Sequence, residues 1–198
     1  MSDSVVVAKQ PRVLADLWVG SVVRDVALVV GYAAFIGLFA QISFHLPFTP
    51  VPFTGQTFAV LLGAATIGWS RAAIGSVIYA AAGVAGVPWF AGATSGWHVA
   101  AGPDFGYILS YVAVSILVGA LAEKGLDRSF SGTAGIMAVG SLVIYAFGVT
   151  WLAFALNVSA MKALSLGMLP FLPGDAFKLV LAAVILPVTW RTVNKRYS

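Results

Sequence analysis

Cysteine is absent from this chain of 198 residues, and charged side chains make up only 9% of it. The lack of cysteine excludes a disulfide framework and a thiolate metal site. Soluble proteins carry about 25% charged residues, so this shortage of charge, together with 60% hydrophobic residues, excludes an ordinary soluble domain. The composition predicts an integral membrane protein whose apolar surface meets the lipid bilayer.

Motifs of nucleotide hydrolysis and metal chemistry are also missing. The sequence contains no Gly-x-x-x-x-Gly-Lys-Ser/Thr loop, no His-Glu-x-x-His and no Gly-x-Ser-x-Gly. His45 and His98 are isolated, and local hydrogen bonding explains them better than catalysis does. We therefore predict no catalytic residue, no metal, no cofactor and no ATP hydrolysis by this chain.

Six apolar segments approach the length of about 20 residues that a membrane-spanning helix needs. They cover residues 26–46, 57–68, 72–87, 105–122, 133–156 and 174–190. The second is short, and short segments interrupted by proline or glycine are typical of substrate regions. The predicted fold class is an all-α integral membrane protein with six transmembrane helices. Residues 1–25 would form a cytoplasmic segment, and residues 26–198 one transmembrane domain that binds the substrate.

Lysine and arginine are distributed unequally between the two sides of the predicted bundle. With the amino terminus in the cytoplasm, Lys162 lies outside and nine basic residues lie inside. The inside set is Lys9, Arg12, Arg24, Arg71, Lys124, Arg128, Arg191, Lys195 and Arg196. The positive-inside rule then predicts that both termini are cytoplasmic. It also explains the net charge of +4 without a nucleic-acid partner.

Asp175 and Lys178 are unusual charges at the start of the last apolar segment. A lysine near the bilayer centre costs roughly 2.5–3.5 kcal/mol, so it is expected to face a cavity or a partner. Three residues along a helix advance by about 4.5 Å and stay on nearly the same face. Two interpretations remain open: a binding site for a zwitterionic or anionic molecule, or a helix-start carboxylate neutralised by a nearby lysine.

Small residues recur at a spacing of four in the first span. Ala27 and Gly31 form one such pair, and Ala33 and Gly37 form a second. This spacing allows another helix to approach closely. Packing within the chain and contact with a helix of another subunit are equally good interpretations.

Three stretches of the sequence occur together in a characteristic order. They read PVPFTGQTFAVLLG at 50–63, GVPWFAG at 86–92 with GPDFGY at 102–107, and PFLPGDAFK at 170–178. Together they resemble the BioY family, the biotin-specific S components of energy-coupling-factor (ECF) transporters. The resemblance covers most of residues 26–190. Two places depart from the family pattern: residues 93–98 replace a glycine-rich stretch, and Asp104-Phe105 stands where a small residue and a glycine are usual.

The resemblance implies both a function and a setting. The chain would be an S-component bundle in the bacterial cytoplasmic (inner) membrane, crossing it several times and capturing biotin from outside. Its partners would be a transmembrane T component and two ATPase subunits, and association with further copies of itself stays open. Within transport the alternative is an S component for another vitamin. A membrane-embedded enzyme or a lipid-binding protein is the alternative from a different class.

Biotin suggests a role for each candidate residue, because it joins a ureido group, an apolar bicyclic body and a carboxylate. We predict that Asp175 accepts hydrogen bonds from the ureido N–H groups and that Lys178 pairs with the carboxylate. Aromatic side chains would form the walls, and polar ones would add hydrogen bonds or close a lid. The predicted substrate-binding residues are Asp175, Lys178, Tyr107, Trp89, Phe90, Thr94 and Gln56.

Overall fold

The protein, described here by a computed structural model, is a bundle of α-helices. The structure describes the backbone of residues 11–18 and 20–197 and the side chains among them up to residue 195. The helices are α1 (Val22–Ala40), α2 (Gln56–Ile67), α3 (Trp69–Val84), α4 (Trp97–Ala100), α5 (Phe105–Glu123), α6 (Phe130–Leu156), α7 (Ala160–Gly167) and α8 (Leu172–Tyr197). Two short strands, β1 (Ser43–Phe44) and β2 (Phe53–Thr54), pair antiparallel between α1 and α2. Single 3₁₀ turns occupy Leu14–Leu17, Ala91–Ala93 and Leu126–Arg128.

Each predicted span coincides with one helix, namely α1, α2, α3, α5, α6 or α8. By length and composition, α1, α5, α6 and α8 are able to cross a membrane. Helices α2 and α3, with 12 and 16 residues, are shorter. The first predicted span extended too far, because α1 ends at Ala40 and the chain then turns into the β1–β2 hairpin. The helical, multi-pass character is therefore confirmed, whereas six spans and the orientation of the termini stay predictions.

Helix α5 lies at the centre of the bundle and packs against α2, α3 and α6. Glycines allow the close approach, since a Cβ atom on Gly119 would lie 2.5 Å from the backbone nitrogen of Trp69 at the start of α3. Polar side chains in this core form hydrogen bonds with one another. The Tyr32 hydroxyl lies 3.0 Å from Ser115 Oγ, which lies 2.9 Å from Ser76 Oγ. This chain of hydrogen bonds ties α1, α3 and α5 together.

Ion pairs hold the amino-terminal segment against the end of the bundle where α2 turns into α3. Arg71 pairs with Asp16 at 3.3 Å and with Asp25 at 3.1 Å. Val13, 1% exposed, packs into the core beside them. Helix α1 starts at Val22, four residues before the predicted domain boundary. Of the predicted cytoplasmic segment, residues 1–10, including the predicted inside lysine Lys9, and residue 19 lie outside the described part of the chain.

A buried carboxylate closes the turn between α5 and α6. Asp127 is 0% exposed, and its Oδ2 accepts a hydrogen bond of 2.5 Å from Trp190 Nε1 on α8. Its Oδ1 finds no hydrogen-bond partner among the described residues. Burial raises the pKa of Asp127 above the usual range of a carboxyl group, although the Trp190 bond opposes the shift.

Replacing Asp127 by asparagine should change how thermal stability depends on pH. Because burial raises the pKa in the folded state, the folded protein binds more protons than the unfolded one. The contribution of Asp127 to stability is then full below about pH 4 and is lost as pH rises through the raised pKa. Asp127→Asn should remove this decline while keeping the acceptor for Trp190. Melting of the detergent-solubilised protein across pH tests this, and identical pH profiles for both proteins would contradict it.

Candidate functional site

A cavity of about 390 Å³ opens at the end of the bundle where the loops rich in proline and glycine meet. The β1–β2 loop, the segment between α3 and α5, and the α7–α8 connection all contribute to its lining, together with α2, α5, α6 and α8. Several aromatic side chains form part of its walls. They include Phe90, Tyr107, Tyr111, Tyr145 and Phe171. Such a cavity suits a small molecule with an apolar body.

Asp175 and Lys178 form an ion pair on this cavity. Lys178 Nζ lies 2.9 Å from Asp175 Oδ1. The side chains are 17% and 14% exposed for Lys178 and Asp175 respectively, so the pair is partly shielded from solvent but still reaches the cavity. Helix α8 begins at Leu172, so Pro173, Gly174 and Asp175 all lie in its first turn, and the spacing of three places both charges on one face of the helix.

Neighbouring groups use every N–H donor of the Lys178 ammonium. Besides Asp175, Nζ donates to the carbonyl oxygen of Thr54 at 2.8 Å and to Thr57 Oγ1 at 2.9 Å. An ammonium has three donors, so all are taken. Tyr145 donates its hydroxyl proton to Asp175 Oδ2. The pair is thus a preorganised unit rather than two independent charges.

The β1–β2 hairpin positions an aromatic ring over this unit. Lys178 Nζ lies 4.8 Å from the centroid of the Phe53 ring, a cation–π arrangement. Phe53 also stacks between Phe44 and Phe171, with centroids 4.8 and 5.4 Å away. Only glycine fits beneath the ring, since a Cβ atom on Gly174 would lie 2.1 Å from it.

Six of the seven predicted substrate-binding residues line the cavity. They are Asp175, Lys178, Tyr107, Phe90, Thr94 and Gln56. Trp89 does not line it: its indole Nε1 donates to the carbonyl oxygen of Tyr79 at 3.0 Å, and its ring packs beside Gly37. The predicted aromatic wall is therefore formed by Phe90, its neighbour in sequence.

Two of these lining residues already have partners within the protein. Gln56 Nε2 donates to the Tyr79 hydroxyl at 2.8 Å, which leaves its carbonyl oxygen as an acceptor for a ligand. The Tyr107 hydroxyl donates to the carbonyl oxygen of Gly167 at 2.7 Å. The Tyr107 hydroxyl is thus used within the protein, whereas Gln56 keeps an acceptor toward the cavity.

The predicted partner face of α1 divides into two sides. Ala27 and Gly31 are exposed, and a Cβ atom on Gly31 would meet nothing within 4 Å. Ala33 is 1% exposed, and a Cβ atom on Gly37 would lie 3.1 Å from Trp89. Ala33 and Gly37 pack inside this chain, so the structure leaves only the first pair available to a helix of another subunit.

Asp104 is a cavity residue that the sequence did not single out as a ligand contact. It precedes α5 and lines the cavity. Burial raises the pKa of its carboxyl group, an effect that the nearby His45 opposes. The departure of Asp104-Phe105 from the family pattern was the available sequence signal. For Tyr145 and Thr57, which hold the ion pair, the spacing carried no such signal because they lie on other helices.

Sequence comparisons identify the relatives of this chain. The family model of the BioY family matches residues 8–195. The chain belongs to the BioY family. A relative from Rhizobium etli named biotin transporter BioY is 33% identical over 172 residues, covering 82% of this chain and 90% of that protein. Its namesake from Thermotoga maritima is 36% identical over 154 residues, covering 78% and 88% respectively.

A solved structure shares the BioY fold of this chain. It is a crystal structure of the S-component for biotin from an ECF-type ABC transporter, with a TM-score of 0.77 and 24% sequence identity. The match covers 85% of this chain and 92% of that one. The predicted resemblance to the BioY family is thereby confirmed in sequence, and the S-component bundle in fold.

Gln41, at the carboxyl end of α1, fastens the loop that carries Phe90 in this BioY chain. Its Nε2 lies 3.2 Å from the carbonyl oxygens of both Trp89 and Phe90, and its Oε1 accepts from Ala93 N at 3.0 Å. Ala93 has a φ of 57°, a left-handed conformation that costs a non-glycine residue roughly 1–2 kcal/mol. The amide of Gln41 therefore holds a strained turn closed.

Gln41→Ala should release this loop. Losing these bonds costs on the order of 1.4 kcal/mol, so amide hydrogen exchange over residues 86–96 should accelerate about tenfold. Gln41→Glu is the matched control, because it keeps the acceptor for Ala93 but loses the donors, and an intermediate rate is expected. Unchanged exchange in Gln41→Ala would show that the loop is held by other contacts.

Proposed function

We propose that this chain is the substrate-binding S component for biotin, and that it captures biotin for uptake across the membrane. The observation that carries the proposal is the Asp175–Lys178 unit on an aromatic-walled cavity, in a chain of a family whose curated relatives are named biotin transporters. An aromatic cavity with a few fixed polar groups suits the apolar bicyclic body and the polar ureido group of biotin. It is a transport role, and no catalytic step is assigned to the chain.

The geometry favours a change in the roles predicted for the ion pair. The two charged groups are 2.9 Å apart, whereas the ureido group and the carboxylate of biotin are separated by the bicyclic body and a methylene chain. Both charged groups are therefore expected to contact the same end of biotin. Asp175 accepts from a ureido N–H, and Lys178 holds Asp175 in place and lies beside the ureido carbonyl. The carboxylate then points toward the loop end of the cavity.

The remaining lining residues take supporting roles. Phe90 and Tyr107 enclose the bicyclic body, and the Gln56 carbonyl accepts from a second N–H. Thr94, whose hydroxyl donates to the carbonyl oxygen of Ala91 at 3.0 Å, keeps the turn of the loop above the cavity in shape. The presence of each of these side chains on the cavity wall supports its assignment.

Binding to the purified, detergent-solubilised chain tests the function. Biotin should bind with a single site, and lipoic acid, which has a ring and a carboxylate chain but no ureido group, should bind far more weakly. Equal affinity for both compounds would contradict recognition of the ureido group. Tight binding of a different vitamin with no binding of biotin would favour an S component for that vitamin instead.

The proposed setting is a bacterial cytoplasmic membrane crossed six times, with both termini inside. Helices α2 and α3 would complete the six spans as a short pair surrounded by longer helices. The support comes from the sequence, in which lysine and arginine are in excess on one side of the predicted spans. A transmembrane T component and two ATPase subunits would supply the energy for uptake.

The exposed small residues of α1 are the proposed contact with the T component. Gly31→Trp should leave biotin binding unchanged but abolish uptake by cells that express the partner subunits, because a large side chain keeps the partner helix away. Gly135→Trp is the matched control, as Gly135 is exposed on α6 with nothing near its Cβ position. Full uptake by Gly31→Trp would move the contact to another face.

A further inference from the structure

We infer that this chain takes up a proton when it binds a ligand carboxylate, and that Asp104 accepts that proton. The inference rests on the proposed function, since biotin carries a carboxylate. It concerns the loop end of the cavity, which the Asp175–Lys178 unit leaves to the tail of the ligand.

Asp104 makes neither of the contacts that usually hold a carboxylate at the start of a helix, a capping hydrogen bond or an ion pair. It stands at the N-cap of α5, where an aspartate usually accepts a backbone N–H of the first turn. Its side chain makes no such bond. Within the described part of the chain, no lysine, arginine or histidine forms an ion pair with it. Its side chain lines the cavity instead.

The other charges of the cavity determine whether Asp104 repels a ligand carboxylate. Asp175 and Lys178 neutralise each other at 2.9 Å, whereas Asp104 is in none of the ion pairs of the described residues and has only the nearby His45 to oppose the rise of its pKa electrostatically. The other titratable side chains lining the cavity are His45, His98, Tyr107, Tyr111 and Tyr145, and Tyr79 lies close behind them. The two histidines are the competing sites for a proton, and each is tested separately below.

A ligand carboxylate at the loop end shares this cavity with Asp104. At a separation of about 9 Å and an effective dielectric constant of about 20, repulsion between two carboxylates weakens binding on the order of tenfold. Salt screens an enclosed pair less than a pair at the surface. Protonation of Asp104 removes this penalty.

The direction of the effect follows from burial. Burial already raises the pKa of the Asp104 carboxyl group, and a nearby anion raises that pKa further. Binding therefore draws a proton from solvent, and affinity increases as pH falls through the interval between the two pKa values. A carboxylate that enters with a proton adds no net charge to the cavity, which lowers the cost of moving it through the bilayer.

Calorimetric titration of the full chain with biotin, at several values between about pH 5 and about pH 8, tests the inference. Wild-type affinity should rise toward low pH by about tenfold in all, and Asp104→Asn should bind tightly at the high end and lose the dependence. Biotinamide, whose tail is uncharged, should show no dependence with either protein. Titration of the wild type in two buffers that differ in ionisation enthalpy measures the number of protons taken up on binding. This measurement tests the inference even if the variant does not fold.

Each other outcome has a definite meaning. Affinity that is independent of pH, or an unchanged dependence in Asp104→Asn, overturns the inference. A dependence that disappears in His45→Gln or His98→Gln instead assigns the proton to an imidazole and overturns it as well. Failure of the folded wild type to bind either biotin or biotinamide refutes the proposed function itself, whereas binding without proton uptake refutes only the role of Asp104.

Discussion

Asp175→Ala is expected to weaken biotin binding by about 100-fold. The change removes the acceptor proposed for the ureido N–H and leaves the Lys178 ammonium without its counter-charge, in a place where both side chains are less than a fifth exposed. Removing one partner of a buried pair costs several kcal/mol because the other charge stays unpaired. Partial exposure to the cavity reduces that cost here to about 2.7 kcal/mol, which corresponds to the stated factor.

The matched control for this prediction is Asp175→Asn, which keeps the volume of the side chain. Its amide has one oxygen in place of two, and with that oxygen on Lys178 an NH₂ group faces Tyr145 and the ligand. A loss close to that of the alanine variant is expected. Isothermal titration of the solubilised proteins measures both. Wild-type affinity in either variant would place the ligand elsewhere in the cavity.

Lys178→Ala separates the two roles considered for the lysine. If Lys178 acts at the ureido end, biotin and biotinamide should lose affinity by the same factor. A much larger loss for biotin would restore the carboxylate role that the sequence predicted. The comparison is informative because the Thr54 and Thr57 bonds to Nζ disappear equally for both ligands.

Gly119→Leu is expected to have the largest effect on stability. Helix α5 crosses the start of α3 so closely at this glycine that a Cβ atom would lie 2.5 Å from the backbone N and Cα of Trp69 and 2.9 Å from the carbonyl carbon of Gly68. Backbone atoms cannot swing aside as a side chain does. The two helices must separate, and we expect a loss of about 3 kcal/mol in the free energy of unfolding.

Gly135→Leu is the control for this substitution. Both glycines lie inside helices, so leucine improves helix propensity by a similar amount, about 0.8 kcal/mol. A Cβ atom on Gly135 meets nothing within 4 Å. Thermal melting in detergent should show a large decrease for Gly119→Leu and little change for Gly135→Leu. Equal melting temperatures would mean that α5 and α3 move apart at little cost.

Much of the site was visible in the sequence because its residues are exceptions to their surroundings. A charge inside an apolar helix is expensive, so Asp175 and Lys178 stood out without any knowledge of their neighbours. Turn residues and a motif order shared with a family pointed to Gln56, Phe90, Thr94 and Tyr107 in the same way. Trp89 and Phe90 were both predicted as wall residues, and only the course of the loop decides that the Phe90 ring faces the cavity.

The sequence by itself determined that this is a helical membrane protein of the BioY family with an ion pair at the start of α8, because composition, length of apolar segments and local spacing are properties of the chain alone. Only the tertiary structure decided how the pair is held. Thr54, Thr57 and Tyr145 bind it from other elements, Gln41 fastens a strained loop 48 residues away at Trp89, and Asp104 lines the same cavity. Such contacts depend on how helices cross and loops meet, and spacing along one chain does not encode those distances.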